Sequence, residues 1–73
     1  MKAKLEFNLP EEKDEFDYAC NGLKYCAALG ELDNFLRSKI KYDQNLTDEQ
    51  YKVYEDVRSK LWEILNEEGI SIF

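Results

Sequence analysis

Histidine is missing from this sequence altogether, which removes the commonest general base and metal ligand near neutral pH. Cysteine is scarce. Cys20 and Cys26 stand six residues apart, which on one continuous helix sets them roughly 240° apart around the axis. Such a pair closes no disulfide without a chain reversal between them, and with no second pair it fits no metal-ligand spacing. Both read as small buried apolar residues. Gly22, Gly30 and Gly69 are isolated from one another, so neither a phosphate-cradling glycine loop nor a nucleophile elbow is present. No apolar run nears the roughly 20 residues of a membrane span. The segment MKAKLEFNLP has neither the apolar core nor the small-residue cleavage site of a signal peptide. These absences predict a cytoplasmic protein with no membrane association, no cofactor, no metal and no enzymatic activity. The carboxylate pairs Glu11–Glu15 and Asp14–Asp17 read as a solvated acidic face, because so short a chain scarcely forms the cleft that carboxylate catalysis requires.

What is present is a single domain, residues 1–73, near the lower limit at which one core suffices. Hydrophobic residues make up 44% and aromatics 14%, too many for a disordered acidic chain. So small a core gains from self-association, and a homo-oligomer is expected. Lys2 to Asn8 alternates, with Ala3, Leu5 and Phe7 on one side, as a half-buried strand does. Pro10 sits where it opens a helix, with Glu11 and Glu12 at the positive helix end. Phe16, Cys20 and Leu23 continue an apolar stripe, and Asn21-Gly22 reads as the end of this helix and the start of the next. Leu29, Leu32, Leu36 and Ile40 form the second stripe. Thr47-Asp48-Glu49-Gln50 matches a capping box. It opens a long helix whose inner side carries Val53, Val57, Leu61 and Ile64 or Leu65, and which Gly69 stops. Ile70 to Phe73 alternates again as a short strand. The predicted fold is therefore α+β, mostly helical: a short two-stranded sheet of N- and C-terminal strands packed with three helical segments.

Charge falls in blocks. The net charge is −6, with five acids against Lys13 in residues 10–21 and only acids in residues 63–73. Phe35 to Tyr42, FLRSKIKY, reverses the sign: Arg37, Lys39 and Lys41 stand beside two aromatics with no acid among them. On a helix Arg37 and Lys41 share a face, while Lys39 lies roughly 200° from Arg37. Cations gathered with rings in an acidic protein are suited to an anion, and tyrosines can stack on a base while arginine holds phosphate. The candidate ligand-binding residues are Tyr25, Arg37, Lys41, Tyr42 and Arg58. A competing account needs no ligand: helix-end charge complementarity and pairing with acids such as Asp33, four residues before Arg37, explain the same cations. Trp62 reads as a core or interface anchor.

The pattern Leu9-Pro10-Glu11-Glu12, Asn21-Gly22, Leu32-Asp33 with Phe35-Leu36-Arg37, Lys39 and Lys41-Tyr42, followed by Leu46 to Tyr51, Val57-Arg58, Leu61 and Glu63 to Glu67, resembles a set of small proteins encoded in bacteriophage genomes. The likeness covers nearly the whole chain, and Gly30 departs from it where such proteins carry a large aromatic. It implies a source, the cytoplasm of an infected bacterial cell, more than an activity. Two functions follow as expectations. One is a non-catalytic counter-defence sponge that captures a nucleotide-type immune signal at sites between subunits. The other is a protein-directed inhibitor or nucleic-acid mimic that sets the acidic face (Glu11, Glu12, Asp14, Glu15, Asp17) against a host defence enzyme. Direct DNA or RNA binding is disfavoured, because neutralising phosphates takes an extended basic surface.

Overall fold

Ile40 is the one β-branched residue between Lys13 and Tyr42, a stretch otherwise rich in leucine, alanine and lysine. In the computed structural model, which describes residues 1–72, that stretch is a single 30-residue helix, α1 (Lys13–Tyr42). Asn21-Gly22 does not break it. A mid-helix glycine costs about 1 kcal/mol against alanine, and the surrounding formers with their tertiary contacts outweigh that. The loop 43–47 reverses the chain into α2 (Asp48–Glu67), and the two helices pack as an antiparallel hairpin.

The helix ends are set locally. Asp43 leaves helical geometry at φ −82°, ψ 112°, its Oδ1 accepts from the Asn45 amide at 2.9 Å and its Oδ2 accepts from Lys39 Nζ at 3.3 Å. At the start of α2 the capping box forms as expected: Gln50 N donates to Thr47 Oγ1 at 3.1 Å and Thr47 N to Gln50 Oε1 at 3.0 Å. Such a cap contributes about 1 kcal/mol. Gly69 takes φ +66°, which lets the amides of Glu68, Gly69 and Ile70 reach the carbonyls of Ile64, Asn66 and Leu65.

The expected α+β fold is overturned: the described residues hold two helices and no strand. The alternation of Lys2 to Asn8 finds no ladder partner. Residues 9–12 form a turn rather than the first turn of a helix, with Glu12 N donating to Asn8 O at 2.7 Å. The N-terminal arm docks through Phe7 on Phe16, ring centroids 5.8 Å apart and edge to face. The C-terminal tail instead lies beside Cys26 and Gly30: Cys26 Sγ stands 4.0 Å from Ser71 O, and Ile72 O lies 3.9 Å from where a Cβ on Gly30 would be. These docking points are ten or more residues apart on α1, about 15 Å along its axis, so the two termini do not pair. The predicted C-terminal strand extends to Phe73, which lies outside the described residues.

Burial is sparse. Leu36 and Leu65, each 3% exposed, are the buried apolar residues. Leu29, Ile40 and Leu61 are half-buried beside them. Val53, Val57 and Ile64, expected on the inner side of α2, are exposed, as is Leu32 of the α1 stripe. One partner helix covers only about a third of each cylinder, so the stripes are wider than the seam that fills them. Cys20, expected inside, is also exposed, while Cys26 is half-buried.

Candidate functional site

An acid interrupts the buried stripe of α1. Asp33 stands between Leu29 and Leu36 and is fully buried. A carboxylate taken from water needs several donors, and α2 supplies them. Arg58 Nε donates to Asp33 Oδ1 at 2.8 Å, Arg58 Nη2 to Oδ2 at 3.4 Å, and Trp62 Nε1 to Oδ1 at 2.8 Å. Arg58 and Trp62 are four residues apart on α2 and so share a face. The hydrogen bond from Arg58 holds the Asp33 carboxyl below its ordinary value of 3.8. Burial opposes this, while the Trp62 hydrogen bond and the positive fields of Arg58 and Arg37 reinforce it. Arg58 is raised in turn by the same hydrogen bond.

Because the folded carboxyl is depressed, its contribution to stability is complete above the unfolded value and is lost as pH falls through it towards the folded one. The urea midpoint should therefore stay flat from about pH 7 to pH 5 and fall below about pH 4. Asp33→Asn should flatten that acid limb, and an unchanged limb would remove Asp33 as its cause. Asp43, lowered first by the Asn45 amide and then by Lys39, keeps its own share in both proteins.

The five residues singled out from sequence are not gathered at one point of the chain. Arg58 is engaged by Asp33. Arg37 and Lys41 lie exposed on one flank of α1 near its carboxyl end, and neither forms a salt bridge among the described residues. Asp33 pairs across the hairpin rather than with Arg37, although Arg37 still acts on it through space. Tyr42 projects from the other flank, roughly 140° from Arg37, and is exposed. Tyr25 lies 17 residues earlier, about 25 Å along the axis.

Beside Tyr42 an open hollow of about 550 Å³ is lined by Phe35, Ser38, Lys39, Tyr42 and the loop residues Asp43, Gln44 and Asn45. Lys39 Nζ sits 5.7 Å from the centroid of the Phe35 ring while pairing with Asp43. The hollow thus offers aromatic surface with one internally neutralised cation, while Arg37 and Lys41 lie on the other flank of α1, roughly 140° and 100° from Tyr42 around the helix. Among the described residues no group of three or more cysteines and carboxylates is placed to hold a metal ion. Nor, among the described residues, is any helix long and apolar enough to cross a membrane.

Sequence reasoning missed two arrangements. The Asp33–Arg58–Trp62 cluster was signalled by an acid inside an apolar stripe, which demands a donor from elsewhere. The Lys39–Asp43 closure of the hollow was signalled by their four-residue spacing at the helix end. Comparison with protein-family models, with curated proteins and with solved structures finds no match to this chain.

Proposed function

We propose that this chain is a non-catalytic binding protein that captures a phosphate-bearing, nucleotide-type ligand at the carboxyl end of α1. The observation that carries the reading is a pair of cations, Arg37 and Lys41, exposed and forming no salt bridge among the described residues, in a chain of net charge −6. Phosphate would lie on that pair, where the guanidinium supplies paired donors and the ammonium a point charge. The base would lie on Tyr42 and Phe35 in the hollow, whose volume is within the range of small-molecule sites. Because that hollow is on the other flank of α1 from Arg37, the phosphate would be met by the cation pair of another copy of the chain. Tyr25, far along the axis, would join only from another copy of the chain. The likeness to phage-encoded proteins extends this to a role: sequestering a nucleotide immune signal in an infected cell.

Differential scanning fluorimetry and calorimetry with cyclic dinucleotides and ADP-ribose species test it. A ligand present at 100 times its Kd stabilises the fold by about 2.7 kcal/mol. Arg37→Ala with Lys41→Ala should weaken that ligand at least 10-fold, as loss of a charge-assisted contact of about 1.5 kcal/mol does, with an unchanged far-UV spectrum. Absence of a shift with every nucleotide, together with recovery of a host protein on the acidic residues, would favour the inhibitor reading instead.

A further inference from the structure

Two features of the hairpin ask for a second chain. The first is surface. The chain exposes 6449 Å², against roughly 4,700 Å² for a compact monomer of its mass. Its radius of gyration is 17.2 Å, against about 11 Å for a compact chain of this length. The N-terminal arm contributes to this excess, but so does the body of the hairpin.

The second feature is register. Along α1, the positions Gly22, Cys26, Leu29, Asp33, Leu36 and Ile40 are buried or half-buried at alternating spacings of four and three, with Asp33 among them meeting α2 and Cys26 the C-terminal tail. A parallel series, Tyr25, Ala28, Leu32, Phe35, Lys39 and Tyr42, runs beside it at spacings of three and four and is left largely uncovered by α2. Its four largest apolar members leave 44 to 68% of their surface exposed. On α2 a matching series, Val53, Val57 and Ile64, is 45 to 59% exposed. Both series are displaced from the helix contact in the same rotational sense. In antiparallel helices that sense brings them out on one side of the hairpin. The Phe35 and Tyr54 rings, 6.4 Å apart and edge to face, bridge the two.

We infer that this face, Tyr25–Leu32–Phe35–Tyr42 of α1 with Val53–Val57–Ile64 of α2, is covered by the same face of a second copy, making a four-helix bundle. The three-four spacing is the one that packs helices at shallow crossing angles, as bundles do. An isologous contact requires a surface that tolerates itself. This one does, because its charges, Lys39 and Lys60 (the position between Val57 and Ile64 in the three-four series), are each paired within their own chain, with Asp43 and Glu63. The excess of roughly 1,700 Å² per chain, shared between the N-terminal arm and the hairpin, leaves room for the ~800 Å² each partner buries in a standard interface. Phe35 and Tyr42 of the hollow assigned above to a base belong to this face, so in the pair of chains that hollow lies at the contact between copies.

Sedimentation equilibrium of the full chain at micromolar concentration should give twice its 8.7 kDa, and the thermal midpoint should rise with protein concentration. A single-chain mass, or a midpoint indifferent to concentration, would overturn the inference, including where another protein is found to bind the face. Val57→Glu with Ile64→Glu introduces better helix formers and should shift the mass to one chain. Persistence of the double mass would exclude this face. Leu23→Glu, on the far side of α1 and 84% exposed, should leave the double mass intact, and dissociation there would equally count against the assignment.

Discussion

Asp33→Ala should destabilise the protein by about 3 kcal/mol in urea denaturation followed by far-UV circular dichroism at fixed protein concentration. The carboxylate is fully buried and accepts from Arg58 and Trp62 on the opposite helix. Its removal leaves a guanidinium with 28% of its side chain exposed without its counter-charge. A chain of this size has only about 4 to 11 kcal/mol of stability in total, so the loss is a large share of it. The partial exposure of Arg58 places the effect at the lower end for a broken buried pair. Replacing both partners, Asp33→Leu with Arg58→Met, should cost less than Asp33→Ala alone, because no charge is then stranded. A single variant within about 0.5 kcal/mol of the parent would mean that the cluster aligns the helices without stabilising them.

Leu65→Ala is expected to cost a similar amount, about 3 kcal/mol, by the same assay. Among the described residues, Leu65 and Leu36 are the apolar side chains the hairpin buries, each 3% exposed, and both lie on the seam closed by the Asp33 cluster. Truncation removes transfer free energy and leaves a void, and an open two-helix structure relaxes into it more readily than a closed core. That keeps the cost near the low end of the range for leucine truncations. Leu23→Ala, at an exposed position of α1, should change stability by no more than about 0.5 kcal/mol. Equal losses at the two positions would mean that burial in the hairpin is not what ranks them.

The same contrast separates what could be read from residues alone from what could not. The Thr47–Gln50 box and the stop at Gly69 were legible because each closes within four residues and owes nothing to the rest of the chain. Asn21-Gly22 misled, because a break signal is a local cost of about 1 kcal/mol and the stretch around it prefers to continue as helix. The alternation of Lys2 to Asn8 misled for a different reason. A strand exists only with a partner, and the arm and the tail dock at separate heights of α1. In the candidate site, Arg37, Lys41 and Tyr42 were legible as a cluster in sequence. Their division between two flanks follows from the helix period, which already set Lys39 apart from Arg37.

Local chemistry thus settled where α2 begins, where it ends and which charges crowd the end of α1, since those depend on hydrogen bonds and dipoles spanning a turn. Contacts across the hairpin settled the rest: that Asp33 takes Arg58, 25 residues away, rather than Arg37 four residues away, and which half of each apolar stripe is covered. A buried carboxylate takes the donors that packing delivers, and one neighbouring helix shields only the strip that it touches.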